Sequence, residues 1–266
     1  MASSNPAETY ESYMVPTLFA PWASCLVESA GPQPGERVLD VGCGTGIVAR
    51  CVAPLVEPNG QVVGLDLNPN MLAVARAAAE REGPAIDWQE GRAEALPFHD
   101  GRFDLVLCQF ALMFFSDRRA ALGEMHRVLT DGGRVALSVW QCLDCHPFYR
   151  ALHEAIERRL GISGVQEIFT LGDADGLRTL LTDAGFRNVV IESVSMAARF
   201  PNPDGFLAGE IDVDTAAIPS MQHLDAQGRR RITEAIRGDM AGPLREATEG
   251  DHVVIPFHAH VARAAR

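Results

Sequence analysis

No lysine occurs anywhere in the 266 residues; all 23 basic residues are arginine. That absence removes two large enzyme classes at once. A P-loop ends in Gly-Lys-Ser/Thr, and pyridoxal phosphate enzymes hold their cofactor as a Schiff base on a lysine. Positive charge is scarce as well: 35 acidic residues leave a net charge of −12. Broad contact with a phosphate backbone needs cationic side chains, so nucleic acid is not the expected partner, although Arg229, Arg230 and Arg231 form a local basic group. The six cysteines (25, 43, 51, 108, 142, 145) show no framework spacing. Cys142-x-x-Cys145 has no second pair beside it, so it reads as two reduced thiols on a loop rather than a zinc site, and no metal is expected. The first residues, MASSNPAETYE, lack the charged and apolar segments of a secretion signal. The longest near-apolar run, Leu105 to Phe115, is too short to span a bilayer. The expectation is a cytoplasmic protein without a membrane span.

What the chain does have is apolar residues, 47% of the total, enough for a sizeable core. Its organising stretch is VLDVGCGTG, Val38 to Gly46. A short apolar run reaches Asp40, three glycines follow at alternate positions (Gly42, Gly44, Gly46), and an amphipathic pattern begins at once. This is a strand, a tight turn and a helix N-terminus, where backbone N–H groups are expected to be unpaired and to face a ligand. The buried stripe of the following helix reads as Ile47, Cys51 and Leu55, with Val48 and Val52 beside them. A second strand, Gln61 to Leu65, ends at Asp66, and Asn68-Pro69 starts a helix whose buried face is Leu72, Ala75 and Ala79, with Gly83-Pro84 closing it. Further strands read at 86–89, 103–108 and 134–140, with a helix over 116–129 and a turn at 130–133. Nearly continuous apolar strands alternating with helices predict a parallel sheet buried on both faces.

Outside this rhythm, residues 1–15 read as a tail or a flap over a ligand, and 17–30 as a helix. Helices are expected near 147–160 and 173–184 with a Gly/Ser loop at 161–164 between them, a strand at 188–197, helical pieces within 200–250, and a final strand at 253–261. Pro256 inside that strand demands a bulge or an edge. The expected organisation is one domain over 1–266: a flap and helix (1–30), a cofactor core (35–140), substrate-side helices with a lid insertion (141–250), and a last strand (251–266).

Two cofactors use a glycine loop after one strand and an acid after the next. The dinucleotide fingerprint is G-x-G-x-x-G and aims a helix N-terminus at a pyrophosphate. Here the spacing is G-x-G-x-G with Asp40 just before it. A carboxylate there repels pyrophosphate and suits a ligand bearing an ammonium and a sulfonium, while Asp66 can accept both hydroxyls of a ribose. The pattern favours S-adenosyl-L-methionine over a nicotinamide.

Four segments then resemble, in order and spacing, the class I S-adenosylmethionine-dependent methyltransferases, close to the ubiquinone/menaquinone-biosynthesis type: VLDVGCGTG (38–46), VVGLDLNPNML (62–72), GRAEALPFHDGRFDLVLCQFAL (91–112) and EMHRVLTDGGRVALSVW (124–140). The resemblance implies a Rossmann-like α/β fold: seven mostly parallel strands in the order 3-2-1-4-5-7-6 with strand 7 antiparallel, helices on both faces, an N-terminal helical flap and a helical lid. It implies S-adenosyl-L-methionine as cofactor and S-adenosyl-L-homocysteine as product. Gly42, Cys43, Gly44 and Gly46 would shape the turn beneath the methionine moiety, with Asp40 near its amino group. Asp66 would hold the ribose, and Leu67 and Met71 would pack on adenine. Tyr13 in the flap joins the cofactor-binding set. Where the family usually has an acid bonding the adenine amino group stands Arg92: either the Ala93 backbone and the Glu94 side chain make that contact, or adenine is held less specifically, with Arg92 stacked on the ring or turned to solvent. Gln109 and Phe110 would lie nearest the transferred methyl.

An in-line methyl transfer needs alignment and exclusion of water more than a base. The aromatic and apolar set Phe110, Leu112, Met113, Phe114, Phe115, Phe148 and Phe169 suggests a small apolar or aromatic acceptor, methylated at oxygen or carbon. His146, on the loop after the fifth strand, is the base candidate. Its competing reading is a loop histidine without chemistry. His126 reads as a packing residue on its helix; His258 and His260 share a strand face without a third metal ligand. A nicotinamide-dependent oxidoreductase and a non-catalytic cofactor-binding protein are the competing functions. As partners, a small-molecule substrate is expected, and a homodimer is left open.

Overall fold

Strands β1 (Arg37–Val41) and β4 (Phe103–Gln109) lie side by side at the middle of a twisted sheet because both are apolar on both faces, with Leu39, Leu105 and Leu107 fully enclosed. The computed structural model describes residues 6–266 except 81, 82, 84, 163, 219, 220 and 222, together with the side chains of 164, 216 and 217. On one side of the centre, β2 (Gln61–Asp66) and β3 (Asp87–Glu90) continue in parallel. On the other, β5 (Leu129–Trp140) is parallel to β4. Beyond it β8 (His252–Ala265) runs antiparallel between β5 and β6 (Arg187–Pro201). A two-residue strand, β7 (Thr248–Glu249), pairs only with β8, so the seven-strand path β3-β2-β1-β4-β5-β8-β6 is the expected order with its antiparallel last strand.

The strand order reverses between β1 and β4. In a sheet of this kind the connections leaving these two strands diverge to opposite sides and open a crevice at their carboxyl ends. Both the glycine turn after β1 and the Gln109-Phe110 corner after β4 fall there.

The N-terminal segment is more ordered than its composition suggests. Helix runs from α1 (Pro6–Thr9) through Tyr10–Phe19 into α2 (Ala20–Ala30). The middle stretch winds wide, with Ala20 N–H donating to Val15 O, around Pro16, which has no N–H to give. Gly31 at φ +57° ends the helix. Met14, Leu18, Trp22 and Leu26 are buried against the sheet, so residues 6–15 belong to the core-facing helix; residues 1–5 of the expected flap lie outside the described set.

Helix α3 (Ile47–Val56) is turned relative to the expected stripe. Val48, Ala49, Val52, Ala53 and Val56 are buried while Leu55 is 48% exposed, because the helix carries two adjacent apolar rows and the smaller one meets the sheet closely. Helix α4 (Pro69–Ala79) starts as read: Asn68 Oδ1 accepts from Asn70 N–H at 2.9 Å. Its buried row is Leu72, Ala75 and Ala78, and the expected stop at Pro84 lies outside the described residues. After α5 (Arg118–Val128), β5 begins at Leu129, and the expected turn at 130–133 is an irregular widening inside it, where pairing jumps from Phe103↔Leu129 to Leu105↔Arg134.

The second half supplies α6 (Pro147–Leu160), α7 (Ala174–Asp183), α8 (Pro203–Ala217) and α9 (Ala226–Ala247). Of the expected Gly/Ser loop, Gly161 caps α6 at φ +67°, and Ser163 lies outside the described residues. Helices α8 and α9 pack together, α9 on α6, and α8 also meets α1, β6 and β8. Pro256 sits where β8 has passed its last β5 pairing, Trp140↔Ala259, and has only β6 beside it, which is the edge its missing N–H requires. Among the described residues, no helix is long and apolar enough to cross a membrane.

Candidate active site and cofactor cradle

The turn after β1 takes conformations that need glycine. Gly42, Gly44 and Gly46 stand at φ +70°, +55° and +85°. A Cβ on Gly42 would come within 2.5 Å of Ala111 Cβ, and one on Gly46 would overlap the Trp88 indole. The N–H groups of the turn, however, do not face a ligand. Gly42 and Cys43 both donate to Leu65 O (2.8 and 3.0 Å), Gly44 to Asp66 Oδ2 (2.8 Å), and Gly46 to Cys43 O (2.8 Å). They tie the turn to β2, so the expected open anion site does not form.

Asp40 explains why an acid precedes the turn. It is 1% exposed, and its Oδ2 accepts from Ala49 N–H at 3.1 Å, capping the first turn of α3, while Oδ1 has no partner. Burial pushes its pKa up to about 7, opposed by the Ala49 N–H and reinforced by Asp66. Asp66 lines the cavity. Its Oδ1 accepts from Asn68 N–H and its Oδ2 from Gly44 N–H, both at 2.8 Å, and each oxygen keeps a lone pair for a hydroxyl donor. Burial raises its pKa against these backbone donors.

A cavity of about 440 Å³ extends from these groups. Leu67, Met71, Gly91, Arg92, Ala93 and Glu94 border it from the loops after β2 and β3, and Leu67 is 56% exposed to it and to solvent. Glu94 is committed elsewhere: its Oε1 accepts from Ser116 N–H (2.9 Å) and Ser116 Oγ (2.7 Å), fastening the loop after β4. Burial would raise its pKa, but the bonds from Ser116 and Asp117 bring it below the ordinary value. Arg92 Nη2 donates to the same Ser116 Oγ at 3.1 Å, with Nε 3.6 Å from Glu94, so both side chains serve this fastening. Of the two groups read for the adenine amino contact, the Ala93 backbone is the uncommitted one.

The other part of the cavity is aromatic. Phe110, held at φ +48°, stacks on Trp140 with ring centres 3.6 Å apart and planes 8° from parallel. Phe114, Phe115, Phe169, Phe257 and Tyr149 share the lining, whereas Leu112, Met113 and Phe148 of the expected ring belong to the core. Gln109 donates from Nε2 to Phe19 O at 3.2 Å, and its buried Oε1 has no partner.

Several site residues are placed differently from the sequence reading. Cys43 and Gly46 shape the turn from beneath and do not line the cavity. Tyr13 packs against Phe200, its ring centre 5.8 Å away, and beside Gly209; Tyr10 instead lies at Gly44 and stacks on Phe19. The wide winding of Tyr10–Phe19 changes which tyrosine faces the turn, which no 3.6-residue period could show. His146 is 1% exposed, accepts the His258 N–H at Nε2 (3.0 Å) and has Nδ1 on Cys142 O (3.1 Å). Both nitrogens are occupied, burial lowers its pKa, and it does not line the cavity, so the expected base is a structural pin. His258 bonds Ser195 Oγ and His260 bonds Gly172 O. Missed altogether were Glu210 and Asp214 on α8. Both are buried and line the cavity, and Tyr149 Oη donates to Glu210 Oε2 at 2.7 Å. Two acids four apart in an otherwise apolar row (Phe206, Leu207, Ile211, Val213) were the available signal.

The residues present fit S-adenosylmethionine. Asp66 suits a ribose, and the spent turn N–H groups do not suit a pyrophosphate. Asp40, expected near the amino group, is 1% exposed and does not line the cavity; burial behind the lining leaves it to cap α3. Comparison with known proteins agrees. A methyltransferase-domain model matches residues 38–133. The chain is 41% identical over 116 residues to the demethylmenaquinone methyltransferase of Thermus thermophilus, covering 44% of this chain and 52% of that one. It is 29% identical over 191 residues to the ubiquinone/menaquinone biosynthesis C-methyltransferase UbiE of Shewanella baltica, covering 63% and 73%. Among solved structures, the YcgJ protein of Bacillus subtilis superposes with a TM-score of 0.62 at 20% identity, over 92% of this chain and 97% of that one. Residues 38–133 therefore match a methyltransferase domain, and the relatives similar to this part of the chain are named as methyltransferases. The chain spans about half the length of the Thermus enzyme and of other curated relatives it matches.

Proposed function

We propose that this chain transfers the methyl group of S-adenosylmethionine to oxygen or carbon of a small aromatic or apolar acceptor. The observation that carries the reading is a single cavity bounded at once by Asp66 and by the Phe110–Trp140 stack. When bound, the cofactor supplies an electrophilic methyl on a sulfonium. Asp66 holds and orients the nucleoside end. The aromatic walls align a flat acceptor and exclude water, and positioning of that kind can supply about 7–11 kcal/mol. Gln109, with a free Oε1, and Glu210 are the groups able to accept a proton or a hydrogen bond from the acceptor. The names of the Thermus and Shewanella relatives, a demethylmenaquinone methyltransferase and a ubiquinone/menaquinone biosynthesis C-methyltransferase, support an acceptor with a ring.

Calorimetric titration with S-adenosylhomocysteine and with NADH tests the cofactor half; NADH binding without S-adenosylhomocysteine binding would replace methyl transfer with hydride transfer. Methyl transfer from labelled cofactor to phenols, quinols and polyketides tests the acceptor half.

A further inference from the structure

The acids of α8 carry an inference about the acceptor that deepens, and rests on, the methyl-transfer reading of this cavity. Glu210 is 1% exposed and Asp214 5%, yet Glu210 Oε1 and Asp214 Oδ2 have no partner. One helical turn apart, they share one face of α8 and both border the cavity. Among the described residues, the side-chain donor to the pair is Tyr149 Oη, on Glu210 Oε2. Among the described residues no arginine or histidine forms an ion pair with either acid, and Arg229 is engaged with Asp212 on the same helix as the pair. Phe169, Val213, Phe257 and the Tyr149 ring are the apolar surroundings.

Buried carboxylates are kept in folded proteins when something pairs with them. Here burial raises the pKa of both, and Glu210 adds to the rise at Asp214, while the Tyr149 hydroxyl opposes the rise at Glu210. The cofactor does not answer for them, because its acid, Asp66, belongs to a separate group in which it acts on Asp40 and both act on Tyr10. What is missing is one ligand atom bearing both positive charge and two N–H donors, within aromatic walls that favour a cation.

We propose that the acceptor carries a basic nitrogen, a primary or secondary ammonium, that docks between Glu210 and Asp214. A phenol or alcohol has a single donor and no charge, and would leave one of the two oxygens unmet.

The test compares 2-phenylethylamine with its neutral isostere 2-phenylethanol by calorimetry, with and without saturating S-adenosylhomocysteine. The amine is expected to bind at least about tenfold more tightly than the alcohol, a ratio worth about 1.4 kcal/mol. Glu210→Gln and Asp214→Asn should each remove most of that preference. Equal affinity of the wild-type protein for the two probes overturns the proposal, and so does an amine preference that survives both substitutions. S-adenosylhomocysteine binding, read in the same titrations, reports separately on the cofactor reading and on whether each variant is folded. The wild-type comparison of amine with alcohol decides the matter even if a variant does not fold.

Discussion

Gly44 N–H donates to Asp66 Oδ2 at 2.8 Å, so the turn after β1 and the acid after β2 form one unit rather than two independent contacts to a ligand. Replacing Asp66 by alanine removes the ribose acceptor and leaves the Gly44 donor unmet. Hydrogen bonds to charged groups contribute about 1.5–3 kcal/mol, so S-adenosylhomocysteine affinity should fall at least about tenfold, with Asp66→Asn between. Calorimetry reads this directly, and unchanged affinity in Asp66→Ala would remove the ribose role.

Asp40 makes the stability of the ligand-free protein depend on pH. Burial raises its folded-state pKa from 3.8 to about 7, so the fold binds a proton that the unfolded chain has released. The contribution is full below about pH 4, is lost as pH climbs toward 7, and is constant above that. Glu210, also raised to about 7 by burial, acts in the same direction. Asp40→Asn keeps an acceptor for Ala49 N–H and removes the buried charge. Urea unfolding should show a flatter pH profile and a more stable ligand-free protein at pH 8.

Two glycines of the same turn should respond differently to alanine. At Gly42 (φ +70°) a new Cβ collides with Ala111 Cβ, and overpacking of that kind costs about 1–3 kcal/mol beyond the strained backbone. At Gly44 (φ +55°) nothing lies nearer than a Tyr10 ring carbon at 4.0 Å, leaving mainly the left-handed backbone penalty of about 1 kcal/mol. Denaturant midpoints should rank wild type above Gly44→Ala above Gly42→Ala. The reverse order would mean that the Ala111 contact relaxes freely.

His146 should matter for stability and not for proton transfer. His146→Ala leaves the half-buried His258 N–H and the Cys142 C=O without the ring that is itself 1% exposed, at about 1 kcal/mol or more for the lost bonds. The unfolding midpoint should fall while the pH dependence of methyl transfer stays that of the wild type. A lost limb in the pH–rate profile would return His146 to the chemistry.

How much of this was legible beforehand follows from the range of the interactions. The β1 turn, Asp66 and the Asn68 cap were readable because each depends on residues a few positions apart. The strand order was readable only through the resemblance, since nothing within β8 says that it lies between β5 and β6. The face of α3 was misread because two neighbouring apolar rows satisfy the same periodicity, and only the sheet's demand for close approach selects Val48, Ala49 and Val52 over Leu55. Tyr10 took the position assigned to Tyr13 because Pro16 goes with a wide helical winding, which shifts the register of the whole segment.

By itself, the sequence determined the parallel α/β core and the kind of ligand at its centre, because strand apolarity, glycine backbone freedom and the placement of Asp66 are local properties of the chain. Tertiary structure alone decided that the turn's N–H groups are spent on β2, that His146 is pinned between Cys142 and His258, and that Glu210 and Asp214 meet the cavity. Each of these depends on a partner dozens of residues away, and a hydrogen bond or a burial cost is set by what lies across space.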